Sequence, residues 1–453
     1  MVDTAALKEP PHVEAKGLLG SFPEIQEINF VEFLMKHWKE HGDVFSFRLG
    51  PQKAYIAVHP DDVKKALLNS DGNWVRGQGY DRLRTALGDS LITGDGESWR
   101  RRRRLMQPAF RPDAVASYSA IIVDVIRETS RRWDDLAETG EPVYIDDEMK
   151  RLAMAVIGRI MLNLRVEDEG MRAAGYFHEV LDYISTYSNH PMPLPMWLPT
   201  AKNNRYKHAV RELHSYMQRI IDNRLESGKD QQDFLNDILK LREGDDAVLT
   251  EDQLINELLT FFFAGHETTA VGLSWSWYLL EQHPDVEDKL FDSVDSIMGT
   301  RKTPTLDDLH KMAYPVQVFQ EVLRLYPPIH IIARDPVVDV EVGGYRLPAG
   351  SLMFISPYLT DRHPDFWEEP DKFDPDRFDR EAIKGQHPYS NLPFGHGEHI
   401  CIGNNLALLE GQIALAMLAR KFYLRLAEGH EVTMQPEATI RFKEGLLMTI
   451  HTR

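Results

Sequence analysis

The chain has 453 residues, 43% of them hydrophobic and 27% charged, with a formal net charge of −18 and a single cysteine. Such a length can bury a large core, and the composition excludes disorder. The acidic balance argues against a nucleic-acid coat, and the lone cysteine excludes an internal disulfide framework and favours a reducing, cytoplasmic compartment.

The N-terminal stretch MVDTAALKEPPHVEAKGLLG is broken by charges and by Pro10 and Pro11. It offers neither a signal-peptide apolar region nor the roughly 20 apolar residues of a spanning helix, so neither a membrane anchor nor a targeting segment is expected. No repeat and no low-complexity linker divides the chain, which predicts one continuous domain over residues 1–453.

DVFSFRLGPQKAYIAVHP alternates apolar and polar residues around Gly50 and Pro51 and predicts a β-hairpin. The basic run WRRRRR, Trp99 to Arg104, reads most simply as a solvated helix face. The clearest helix is predicted from Glu251 to His283: Thr250 and Gln253 fit a capping box, Glu251 and Asp252 suit the positive helix end, and Pro284 stops it. About 33 residues would span on the order of 50 Å. Being apolar all round its middle, this helix should be central and buried. It nevertheless carries Gly265, Glu267 and Thr268; the glycine costs about 1 kcal/mol against Ala, and a buried carboxylate needs partners. Gly265 permits local widening and Thr268 can present a hydroxyl there.

A second helix is predicted from Pro315 to Tyr326, followed by short strands in VDVEVGGYRLPAGSLMFI that turn at Gly343 and Gly344. DRHPDFWEEPDKFDPDRFD reads as an irregular loop, and a last helix is predicted from Asn404 to Phe422.

Just before that helix lies FGHGEHICIG, residues 394–403, with the only cysteine, Cys401. An isolated cysteine is most often a small buried apolar side chain. Here Gly395, Gly397 and Gly403 let the backbone turn and approach a flat group, and the positive end of the following helix favours thiolate. A thiolate in that setting is a metal ligand or a nucleophile, with His396 or His399 as base. His396, His399 and Cys401 match no common zinc spacing, and without C-x-x-C-H there is no covalent haem attachment. Haem held by one axial cysteinate remains open.

The segment resembles the haem loop of cytochrome P450 monooxygenases: Phe394, Gly397, His399, Cys401 and Gly403 occupy every fixed position of F-x-x-G-x-(H/R)-x-C-x-G. Three further stretches agree. Ala264-Gly265-His266-Glu267-Thr268 is similar to the family's oxygen-activation motif; Glu321-Val322-Leu323-Arg324 is its E-x-x-R, with Arg377 completing a triad, although Asp376 stands where Glu is commoner; and Trp99 and Arg103 match its W-x-x-x-R. By itself an i,i+3 Glu–Arg pair is usually a surface salt bridge.

The resemblance implies a soluble, bacterial-type haem-thiolate enzyme, mainly α with small β-sheets, its long helix lying over haem b (iron protoporphyrin IX). Cys401 would hold the iron, while Trp99, Arg103, Arg334 and His399 would hold the propionates. Phe394, Ala264 and Gly265 would border the cofactor, and Glu267 and Thr268 would be catalytic, relaying protons through water. It implies insertion of one oxygen atom from O2 into a lipophilic molecule by C–H hydroxylation or epoxidation; fatty acid, terpenoid, steroid and polyketide remain open. The pocket would draw on Phe262, Phe263, Ala264, Ile329 to Ile332 (Ile331 included), residues 74–92 and HPMPLPMWLP at 190–199. With no fused reductase expected, electrons would come from a separate ferredoxin or flavodoxin and its NAD(P)H reductase, docking on Arg100, Arg101 and Arg104. Rival readings are a peroxygenase or rearrangement enzyme on the same fold and a non-catalytic haem sensor or carrier.

Overall fold

A computed structural model describes residues 7–15, 17–165, 168–188, 194–228, 233–240 and 249–453. Two short helices open it, α1 (Phe22–Ile28) and α2 (Phe30–His41). Asn29 divides them at φ 67°, its side chain accepting from the Glu32 amide at 3.0 Å, and so turns α1 back against α2.

The expected hairpin follows as β1 (Val44–Leu49) and β2 (Gln52–Ala57), paired antiparallel from Val44↔Ala57 to Leu49↔Gln52. These strands belong to a five-stranded sheet completed by β3 (Trp74–Val75), β4 (Ile332–Pro336) and β5 (Leu352–Ile355), in the order β1-β2-β5-β4-β3. Only β2 and β5 run parallel, with Ile56 opposite Phe354. Gly343 and Gly344, at φ 56° and 81°, make the turn that the sequence marks between Val342 and Tyr345.

Helices make up most of the rest. The argument below uses α3 (Gly96–Met106), α4 (Ile145–Leu162), α5 (Asp168–Ser188), α6 (Ala201–Ser227), α7 (Glu251–Gln282), α8 (Ala313–Leu325) and α9 (Asn404–Ala419). At 32 residues α7 is roughly 48 Å long. Both bonds of its capping box form, Gln253 N to Thr250 Oγ1 at 3.2 Å and Thr250 N to Gln253 Oε1 at 3.0 Å. It runs through the largest apolar cluster with α4, α8 and α9 packed on it. Trp275 of α7 lies between the rings of Tyr326 and Phe442, at 3.8 and 4.1 Å.

Two helix boundaries differ from expectation by more than one residue, while α7 and α8 each end one residue early, at Gln282 and Leu325. α8 starts two residues earlier, at Ala313, which leaves Pro315 in the first turn where no intrahelical N–H is needed. α9 stops at Ala419, because Phe422 opens the strand Phe422–Leu426, which is claimed by pairing with Leu447–Thr452. No helix among the described residues is long and apolar enough to cross a membrane.

Candidate active site

The loop ahead of α9 holds Cys401 by its own backbone. The Cys401 amide donates to the Phe394 carbonyl at 2.8 Å, closing the loop on itself. Gly395 and Gly397 have φ 64° and 73°, and a Cβ on Gly397 would overlap the Leu67 carbonyl, so that glycine is required by the close approach of a neighbouring helix. The sulfur carries accessible surface although protein surrounds it on every side, so it faces an internal hollow. Burial pushes its thiol up, opposed by the Gly403 amide and by Arg103.

Cations crowd beside this loop. Arg76, Arg103 and Arg334 come together with His399, and the face of Trp99 lies 5.7 Å from the Arg76 guanidinium, 5.6 Å from that of Arg103 and 4.0 Å from the His399 ring. Arg103 donates to the Ile400 carbonyl at 2.6 Å, and Arg334 to its neighbour Ala333 at 2.8 Å; neither has an ion-pair partner among the described residues. Arg76 donates to the carbonyls of Leu91, Ile92 and Gly94 and keeps a buried Nε without a partner. Burial, Arg334 and Arg103 push it down to about 10 against Tyr80 and Asp95. His399 Nε2 meets Asp95 Oδ1 at 2.9 Å while Nδ1 is buried and unpaired. Burial, with Arg76 and Arg334, pushes this histidine down to about 4 despite Asp95.

Asp95 meets His399 and the Arg76 charge, and Glu398 pairs with Arg100 at 2.8 Å and stands 3.7 Å from His399, so three guanidiniums and an imidazole share two carboxylates, one of them already paired at the surface. Buried like charges without counter-charge are costly, and a dianionic group would relieve them. The two propionates of haem fit this deficit, and Cys401 fits its iron.

Trp99 differs from the role implied by resemblance. Its indole N–H donates to the Leu91 carbonyl at 3.0 Å, so it contributes its ring face, on which the cations lean, rather than a donor to a propionate. Arg102, one residue before Arg103, turns the other way: it is 1% exposed and pairs bidentately with Asp89 at 2.8 and 3.0 Å. It also approaches Glu257 of α7 at 3.4 Å. Burial pushes Glu257 up to about 7, against the Leu91 amide and Arg102.

On α7, Ala264, Gly265 and Thr268 alone keep partial exposure between Phe261 and Ala270. At about 100° per residue, positions 264 and 268 lie about 40° apart, on one face. The Thr268 hydroxyl donates to the Ala264 carbonyl at 2.7 Å. Gly265 serves packing: a Cβ there would lie 2.5 Å from Ile157 Cδ1 of α4. Phe262, assigned to the pocket from sequence, belongs to the core instead. It is 1% exposed and packs on Phe177 and Tyr216, about 200° round the helix from Ala264. Phe263 likewise stacks on Phe177 at 5.5 Å.

Glu267 is buried and turned to the C-terminal strands. Its Oε1 accepts from Thr439 Oγ1 at 3.0 Å and from Arg441 Nε at 2.9 Å. Arg441 also reaches His178 and Asp182 of α5 and lines a cavity of about 450 Å³ with Lys202 and Arg205 of α6.

Glu321 and Arg324, both 0% exposed, form a bidentate pair at 2.6 and 2.8 Å. Arg377 joins Glu321 at 3.4 Å, and Arg324 donates to the carbonyls of Asp361, Pro370 and Lys372, tying the irregular loop to α8. Asp376 takes no part; it pairs at the surface with Lys289.

Ile329 is 40% exposed in the middle of buried neighbours, and Ile332 Cδ1 lies 3.9 Å from the Cβ position of Gly395, at the edge of the cysteine loop. Ile331 is half-buried. Of the 190–199 stretch, residues 190–193 lie outside the described residues. Sequence reasoning missed Arg76, Asp95, Arg102 and Glu257; the lone arginine of NWVRG carries no motif, and nothing distinguishes Arg102 among five arginines in a row.

A family model described as cytochrome P450 matches residues 10–451. A cyclooctat-9-en-7-ol 5-monooxygenase of Streptomyces melanosporofaciens is 34% identical over 391 residues, 86% of this chain and 84% of that protein. A pentalenene oxygenase of Streptomyces avermitilis is 31% identical over 410 residues, 90% of this chain and 88% of the relative. The solved haem domain of cytochrome P450DA superposes with a TM-score of 0.88 over 99% of this chain and 98% of that one at 23% identity, a likeness of fold.

Proposed function

We propose, from the premise that the chain belongs to the cytochrome P450 family, that Cys401 ligates haem b and that the enzyme oxidises an alicyclic, hydrocarbon-rich molecule of the terpenoid kind. The chain is a monooxygenase of that family. What supports the cofactor assignment is one observation: an enclosed thiol with open surface beside the buried guanidiniums of Arg76 and Arg334 and the half-buried one of Arg103, together short of counter-charge. The substrate class rests on the names of the relatives and on the apolar character of Ala264, Ile329, Ile331 and Ile332.

When bound, the haem supplies dioxygen reduction and oxygen-atom insertion, with cysteinate donating electron density as is general in this family. Arg76, Arg103, Arg334 and His399 would hold the propionates, and Trp99 sets the attitude of Arg76, Arg103 and His399. Thr268 rotates its hydroxyl from the Ala264 carbonyl to a water in the hollow. Glu267 Oε1 takes protons arriving through the cavity at Arg441 and passes them by water to Thr268 Oγ1. The isoleucines exclude water and orient the substrate. Electrons come from a separate ferredoxin- or flavodoxin-type carrier, and the protein works in the cytoplasm as one domain.

The cofactor reading is tested on ferrous, carbon-monoxide-saturated protein, whose main absorption should be that of thiolate-ligated iron and should be lost in Cys401→Ser. Absorption typical of imidazole-ligated iron would end it. The substrate class is tested by adding cyclic terpenoids and, separately, long-chain fatty acids to the ferric protein. A shift of the haem band with the terpenoids alone supports the reading; a shift with the fatty acids alone overturns it. Substrate-independent NADPH consumption with a surrogate carrier would favour the sensor reading.

A further inference from the structure

We propose that the N-terminal helix pair carries a binding site for a divalent transition metal of the zinc class, formed by His37, Glu40 and His41 and braced by Glu24. The three residues fall at i, i+3 and i+4 of α2 and therefore share one face. One donor atom from each lies within 4.8 Å of the others. His37 Nδ1 is 2.9 Å from Glu40 Oε2, and His41 Nε2 is 4.0 Å from the same oxygen. Zinc bonds of about 2.0–2.2 Å place neighbouring donors roughly 3–3.5 Å apart, so a rotation of the His41 ring closes the set.

Two imidazoles and a carboxylate are the donor chemistry of zinc, copper and nickel rather than of calcium or magnesium. Glu24 supplies the feature that a chance histidine pair lacks. From α1 it receives His37 Nε2 with both oxygens at 3.2 Å, while Nδ1 bonds to Glu40 Oε2 at 2.9 Å; the metal would take the place of the proton shared between Nδ1 and Glu40, with Glu24 keeping Nε2–H. The same carboxylate is steadied by Lys36 at 2.6 Å.

The platform is stiff and partly dry. Phe33 packs on His37 at 4.6 Å, and Phe45 of β1 lies 6.4 Å from the His37 ring and 6.0 Å from that of His41. The His37 side chain is 7% exposed and that of His41 27%, whereas Glu40 is half exposed, which leaves the remaining coordination positions to water. All three ligands lie on α2, and Glu24 ties the site to α1 through His37.

The experiment uses the full haem-loaded chain, stripped with a chelator, then equilibrated with Zn²⁺ at neutral pH, gel-filtered and assayed for zinc, with titration calorimetry in parallel. One zinc per chain is expected in the wild type and none in His41→Ala. That substitution should leave the haem spectrum unchanged, since His41 ends a helix and is partly exposed. Glu24→Gln should keep the stoichiometry and weaken binding about tenfold. Wild-type protein that retains no zinc, or His41→Ala that retains as much as the wild type, overturns the proposal; a Glu24→Gln affinity equal to wild type removes the bracing role.

Discussion

Arg441 Nη2 stands 2.8 Å from Glu267 Oε1, a contact between residues 174 apart in the chain. Burial acts to raise the Glu267 carboxyl, but Arg441, then His266, Lys150 and the Thr439 hydroxyl, outweigh it and hold it below its usual 4.5. A depressed carboxyl contributes stability above 4.5 that is lost as pH falls through its folded value. In Arg441→Met the carboxyl should rise, so the variant should lose stability as pH rises. We expect a deficit of about 3–5 kcal/mol at pH 8 and a smaller one at pH 5, read from urea midpoints. Adding Glu267→Gln should recover most of it.

Glu321 and Arg324 are wholly buried, and Glu321 also accepts from the Asp374 amide at 3.0 Å. Glu321→Gln keeps the shape but strands the Arg324 charge. It should cost about 3–5 kcal/mol and lower haem content in purified protein. Arg377→Lys weakens a 3.4 Å pair and a bond to the Glu369 carbonyl at a less buried position, strands no buried charge, and should cost clearly less by the same denaturation assay.

Glu410 of α9 is buried with one oxygen unpartnered, and burial raises it well above 4.5. The folded state then keeps a proton that the unfolded chain releases, so this group's contribution is full below 4.5 and declines with rising pH, by about 1.4 kcal/mol per unit until its own pKa. Glu410→Gln should flatten the fall in thermal midpoint between pH 5 and 8. An identical slope in variant and wild type would show that Glu410 is ionised in the fold.

Arg76 is the cradle cation that no motif announces. Losing one charge-assisted contact worth about 1.5–3 kcal/mol should speed haem loss about 10- to 100-fold in Arg76→Met. The rate is followed by transfer to an excess of a competing haem-binding protein. Arg100→Met, whose parent residue pairs with Glu398 at the surface, should show little change.

Arg101 and Arg104 are exposed and have no ion-pair partner among the described residues, unlike Arg100. Reversing both to Glu should slow reduction by an acidic carrier and weaken its salt dependence, with the haem spectrum unaltered. Stopped-flow reduction at two ionic strengths reads both effects, and unchanged rates would remove this face as the docking site.

Local chemistry made much of the fold legible. Thr250 and Gln253 cap a helix, Gly50 with Pro51 and Gly343 with Gly344 turn strands, and Pro284 ends a helix, each through bonds formed within a few residues. The spacing of Phe394, Gly397, His399, Cys401 and Gly403 is of the same short range, and so the sequence alone located the thiol and the helix that follows it.

Which way a side chain faces was decided elsewhere. Arg102 and Arg103 are chemically identical neighbours, yet a rotation of about 100° gives one to Asp89 and Glu257 and the other to the cysteine loop. Phe262 is core because Phe177 and Tyr216 arrive from two other helices, and Glu267 keeps its charge because Arg441 arrives from the last hairpin. Burial and electric field at a residue are sums over whatever the chain brings near, and most of those neighbours are remote along it.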